Sequence, residues 1–310
     1  MNHTTPTCIG IDVSKAILDV HIPGQPHFRV NRDRAGLDEL FTRFTNIPSP
    51  HLVCESTAGY QRALVEAALS HGIPISVVMP VRVRQFGNAM GLMAKTDRID
   101  AALLSRFAEV NRPAAELPTN QDCVALRQLL EARDLLLQAT IDSNNRLEHA
   151  EGFLRTTLQK MQRSSARQLK EVEQQIARLL ETSPFLASKS ARLRELKGVG
   201  PVLATTLLAF LPELGAISAK AVSSLVGIAP HPKDSGTAKG RRIIRGGRPV
   251  IRKVLYMAAV AAARSNPILK AFYLRLREAG KPAKLALTAV MRKMLTVLNK
   301  LLADPDFTLA

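Results

Sequence analysis

Four acidic residues, Asp12, Glu55, Asp97 and Asp100, are of the side-chain type that holds a divalent cation. Each carboxylate offers only one or two oxygens, so the four must converge in space to bind Mg2+. Ions held in this way activate a phosphate for in-line attack. Far downstream, Ser235 stands in Ala229-Pro230-His231-Pro232-Lys233-Asp234-Ser235-Gly236-Thr237. Gly236 permits close backbone approach to a phosphate. Lys239, Arg241, Arg242, Arg245, Arg248, Arg252 and Lys253 follow. Such cations neutralise phosphate oxygens in a transition state. The Ser235 hydroxyl is therefore a candidate nucleophile toward a nucleic-acid phosphate. His231 is near, but no Ser-His-Asp triad is indicated. Each residue alone has a plainer reading: Asp97 as an acid favoured by a helix dipole, Glu55 as a strand-end acid, Ser235 as a solvated loop serine. Their joint order and spacing point to the chemistry.

The elements that must position them follow from periodicity. Residues 8–13 form an apolar run broken by Asp12, the pattern of a buried strand, and an acid there is costly unless it is paired or ligates a cation. Residues 16–22 and 28–31 continue as strands. Residues 51–55 make another strand that ends on Glu55, and 73–79 one more, closed by Pro80. Helical spacing marks Leu37, Leu40, Phe41 and Phe44, and also 59–71 with Gly72 as a stop. Thr96 is a candidate N-cap for a helix over 96–110 that puts Asp97 and Asp100 on one face. This is an α/β pattern. Pro113 and Pro118 mark a boundary. Residues 121–180 form a long periodic helical hairpin, a coiled coil or, since the heptads are imperfect, an ordinary helical bundle, turning near Gly152 or Ser164-Ser165. A third unit opens with Leu196-Lys197-Gly198-Val199-Gly200-Pro201, resembling a helix-hairpin-helix, in which Gly198 and Gly200 would offer backbone N–H groups to a phosphate. Helices resume at 250–264 and 281–303. The expected domains are 1–115, 116–190 and 191–310.

Composition narrows the partners. With 310 residues and 46% hydrophobic content the chain can bury two or three cores. The net charge of +17 predicts a polyanionic partner, nucleic acid first. Aromatic residues are only 4% and Trp is absent, so backbone contacts by Arg and Lys fit better than base stacking. Cys8, Cys54 and Cys123 form no CxxC, which argues against a zinc site or a disulfide framework and for a reducing cytoplasm. Residues 1–7 lack a signal-peptide core, and the longest apolar stretches, such as 254–263, are too short for a membrane span. The expectation is a cytoplasmic chain with no membrane partner.

Ile9-Gly10-Ile11-Asp12-Val13-Ser14-Lys15, Glu55-Ser56-Thr57-Ala58-Gly59-Tyr60 and Lys95-Thr96-Asp97-Arg98-Ile99-Asp100-Ala101 together resemble the DEDD transposase domain. Gly198-Val199-Gly200-Pro201 and the Ala229-to-Gly236 stretch resemble the C-terminal transposase domain of the same proteins. These are the insertion-sequence recombinases of the "one-ten" family, with Piv-type DNA invertases as relatives, and the resemblance covers nearly the whole chain. It implies a RuvC-like N-terminal domain with an RNase H fold, a coiled-coil middle used in assembly, and a mainly helical C-terminal domain. It implies that Asp12, Glu55, Asp97 and Asp100 hold Mg2+ and that Ser235 is the nucleophile. It also implies a structured noncoding guide RNA, called a bridge RNA or seekRNA, whose loops pair with donor and target DNA. Members act as tetramers, dimers of dimers, in which one subunit's acids meet another's serine. Two rivals stay open: a RuvC-like junction nuclease that needs the acids but not Ser235, and a non-enzymatic nucleic-acid-binding protein that needs neither.

Overall fold

The structure, a computed structural model, describes residues 6–92, 96–118, 120–230 and 242–309. The chain divides into two compact units, 1–118 and 119–310.

The first unit is built on a five-stranded sheet. Its strands are β1 (Thr7–Val13), β2 (Ile17–His21), β3 (Phe28–Asn31), β4 (Pro50–Glu55) and β5 (Ile75–Val78), in the order β3-β2-β1-β4-β5. β1, β2 and β3 pair antiparallel; β1, β4 and β5 pair parallel. Side chains alternate across the sheet. Ile9, Ile11, Leu18, Val20, Leu52 and Cys54 enter one apolar layer with Leu40, Phe41 and Phe44 of α1 (Arg34–Phe44) and Leu64 and Ala68 of α2 (Arg62–Ser70). Cys8, Val53 and Val78 enter the opposite layer. There they meet Val83 of α3 (Pro80–Ala89) and Leu103, Leu104 and Phe107 of α4 (Asp97–Asn111). The segment after α4 lies along β5: Glu116 N–H donates to the Ile75 carbonyl at 2.7 Å, and Ser76 Oγ to the Pro113 and Ala114 carbonyls. Backbone groups of the edge strand are thereby paired.

The second unit is helical. α5 (Gln121–Leu147) and α6 (Gly152–Thr182) pair antiparallel, with Arg133 meeting Glu173 and Gln162 meeting Asn144. The turn falls at Gly152, the first of the two expected places; Ser164 and Ser165 lie inside α6. Of the apolar residues on this hairpin, Leu158 is buried, but Leu135 is 71% and Phe153 87% exposed. The base of α5, through Cys123 and Leu126, shares one core with the remaining helices. These are α7 (Pro184–Arg194), α8 (Pro201–Phe210), α9 (Ala219–Val226), α10 (Pro249–Ser265), α11 (Pro267–Glu278) and α12 (Ala283–Ala303). α3, α7, α8, α10 and α11 each carry Pro in the first turn, where its missing N–H costs nothing. Cys8, Cys54 and Cys123 are buried free thiols, and burial pushes that of Cys54 up to about 12. No helix among the described residues is long and apolar enough to cross a membrane.

Candidate functional site

The acids gather because a glycine lets a helix onto the sheet. Asp12 shares the face of β1 that carries Cys8 and Gly10, the face covered by α4. A Cβ on Gly10 would overlap the Ala101 carbonyl oxygen and the Ser105 nitrogen, so only glycine allows this approach. Ser105 Oγ fixes the contact by donating to the Cys8 carbonyl at 2.7 Å. α4 runs opposite to β1, and its first turn therefore lies over Asp12. Thr96 caps that turn, its hydroxyl accepting from Ile99 N–H at 3.3 Å. Asp97 and Asp100 occupy the turn. Glu55 enters from β4: Ile11 pairs with Cys54, and Asp12 and Glu55 come one residue later on adjacent strands.

The electrostatics record the crowding. Burial pushes the Asp12 carboxyl up to about 6, and the negative charges of Asp100, Asp97 and Asp19 add to it. An all-carboxylate donor set suits a hard divalent cation, whose charge would relieve that repulsion. Among the described residues no three carboxylate, imidazole or thiolate groups stand close enough, as placed, to hold an ion.

Sequence reasoning missed three neighbours. Asp19 is the direct cross-strand partner of Asp12 and is only 4% exposed. Arg29, its partner on β3, donates from Nε to Asp19 Oδ1 at 2.6 Å. The same guanidinium reaches Asp97 Oδ2 with Nη2 at 3.5 Å. His27 Nε2 sits 2.9 Å from Asp19 Oδ1, out of line for a hydrogen bond, and has no hydrogen-bond partner among the described residues. The signal was present: Ile17-Leu18-Asp19-Val20 is an apolar strand broken by one acid, the same pattern that singled out Asp12.

In the second unit, Ser235, Lys239 and Arg241 lie outside the described residues. Arg242 and Arg245 are exposed, and Lys253 is 78% exposed, 3.9 Å from Asp134. Arg248 and Arg252, expected at nucleic acid, hold groups of the chain itself. Arg248 grips Glu213 with both terminal nitrogens, at 2.6 and 2.5 Å, and donates to the Phe210 carbonyl. Arg252 donates to the Gly246 carbonyl at 2.6 Å and the Gly227 carbonyl at 3.4 Å. Gly227 and Gly247, both at positive φ, touch so closely that a Cβ on either would overlap the backbone of the other segment. The chain leaves α9 and re-enters α10 at this one pinned neck, and Ser235 falls between the two in sequence. In the helix-hairpin-helix-like turn, Gly198 at positive φ packs on Ala262 and Asn266 holds the Lys197 carbonyl, while Gly200 is open at the start of α8.

The comparisons with known proteins accord with this layout. Residues 9–159 match the profile of a DEDD transposase of IS110, described as "Transposase". Residues 190–274 match that described as "Transposase IS116/IS110/IS902 family". The chain belongs to the IS110 family of transposases. Over 94% of its length this transposase is 27% identical to the "Pilin gene-inverting protein" of Moraxella lacunata, and likewise to that of Moraxella bovis, covering 94% of each. An insertion-element IS110 protein of Streptomyces coelicolor is 32% identical over 45% of this chain and 34% of its own. The protein is a DNA transposase/recombinase, and its DEDD domain suggests dependence on a divalent metal.

Proposed function

We propose that this transposase joins donor and target DNA by metal-assisted serine transesterification, guided by a structured noncoding RNA of its own element. The observation that carries the reading is the convergence of Asp97 and Asp100 on Asp12, with Glu55 one strand away. The sheet order β3-β2-β1-β4-β5 supports a RuvC-like, RNase H-type first domain. A Mg2+ ion bound there would draw charge from the scissile phosphate. Ser235 Oγ then attacks phosphorus, the P–O bond to the 3′ oxygen breaks, and that oxygen leaves as a hydroxyl. The product is a phosphoserine link that keeps the phosphodiester energy without ATP. A 3′-hydroxyl of the partner strand attacks the link, rejoins the DNA and returns the serine hydroxyl. Arg242, Arg245 and Lys253 supply sequence-independent backbone affinity, while base pairing to the RNA chooses the site. The exposed hairpin residues support assembly into a homo-oligomer, a dimer of dimers, through a coiled-coil middle.

The test is incubation with Mg2+, RNA from the flanking region and labelled donor and target DNA, read on a denaturing gel. An RNA-dependent protein–DNA adduct and joined product, lost in Ser235→Ala and in Asp12→Ala, is expected. Cleavage without an adduct that survives Ser235→Ala but not Asp12→Ala would make the protein a metal-dependent junction nuclease instead.

A further inference from the structure

The acid cluster already contains a cation, and it belongs to the chain. Arg29 sits in a fixed place because Asp19 is buried and needs a counter-charge. Its Nε holds Asp19 at 2.6 Å, which turns the outer edge of the planar guanidinium toward the first turn of α4. There Nη2 meets Asp97 Oδ2 at 3.5 Å, a longer contact between side chains that are 54% and 64% exposed. One strong anchor and one weak grip thus sit on a single rigid group. Asp97 is the acid the grip restrains, and no three donors yet converge for an ion as they stand among the described residues.

We propose that Arg29 is a positioning residue that holds Asp97 at the rim of the cluster, and that a divalent cation binds by taking Asp97 from it. The inference rests on the reading of the acids as a metal site. Arg29 stays on Asp19 throughout, so release of Asp97 requires no rearrangement of the sheet. The guanidinium freed on its outer edge then faces the place where a phosphate oxygen would approach the ion.

Lysine separates the grip from the charge. In Arg29→Lys the single ammonium stays with Asp19 and no longer spans to Asp97. Mn2+ binding to the full chain, followed through the spin resonance of free Mn2+, should tighten, by up to about fivefold, the worth of an exposed ion pair. In an Asp97→Asn background the same change should have no effect, because the coupling partner is gone. The pair Asp19→Asn with Arg29→Met removes the buried carboxylate and its counter-charge together and should tighten binding as Arg29→Lys does, which guards against a folding defect in either single variant. Unchanged affinity in Arg29→Lys, or tightening that persists with Asp97→Asn, overturns the proposal. Asp12→Asn separates the two levels. If it leaves Mn2+ binding intact, the ion lies elsewhere, and both the metal reading and this inference fall. If it abolishes binding while Arg29→Lys is silent, only the role of Arg29 falls.

Discussion

Asp12 sits on a strand buried on both faces, beside three other negative charges, and its carboxyl titrates near 6 instead of 3.8. Below about pH 3.8 folded and unfolded chains both carry the proton. Between 3.8 and 6 only the folded chain keeps it, so stability falls as pH rises through that window. Above it the full cost stands, at most about 3 kcal/mol and less by whatever solvent reaches the group. Asp12→Asn should therefore melt several degrees higher than the parent at pH 7.5 in chelator, with the gap closing toward pH 4. Added Mg2+ should raise the parent's melting temperature and leave the variant's unchanged. A variant less stable than the parent at pH 7.5 would show that the carboxylate is a structural partner and not a strained one. Asp12 was legible from sequence because a lone acid in an apolar run is conspicuous. Asp19 carried the same signature and went unread, and Arg29 had none, since a single arginine on a short edge strand declares nothing until the register pairs it with Asp19.

The strands and α4 were legible because alternation and a capping threonine are local signals. The prolines were harder. Pro80 closes β5 in the sequence reading yet begins α3, and Pro184 begins α7; neither helix was foreseen, nor were the short α9 and α11. A proline excludes helix before it and tolerates helix after it, and sequence alone does not say which side matters. Close approaches were equally hidden, because glycine contacts depend on residues far away in the chain. Gly10 sets how near α4 comes to β1. Gly10→Ala should cost about 1–3 kcal/mol through backbone overlap, and it should weaken metal binding more than a surface change of equal cost, by denaturant melts against Mn2+ titration. At the neck between α9 and α10, Gly247→Ala faces both overlap and positive φ. It should lower the rate of adduct formation in single turnover while DNA affinity stays near the parent's. Equal losses in rate and affinity would mean a general folding defect.

For the whole molecule the dominant number is +17. If backbone contacts dominate, affinity for duplex DNA should fall by roughly a thousandfold or more between 50 and 200 mM salt, assuming about six phosphate contacts. A flat salt response in an electrophoretic or anisotropy titration would show that the charge is spread idly over the surface. The division into two units also gives the chain two built-in clocks. Cys8 and Cys54 are sealed in the first unit and Cys123 in the second. A thiol that ionises only near 12 is inert to alkylating reagents until its surroundings part. Modification of Cys54, one residue from Glu55, therefore times the opening of the sheet around the acids. Modification of Cys123 times the helical core. Since neither needs an introduced label, the unaltered protein can report which half loosens first when metal, RNA or DNA is added.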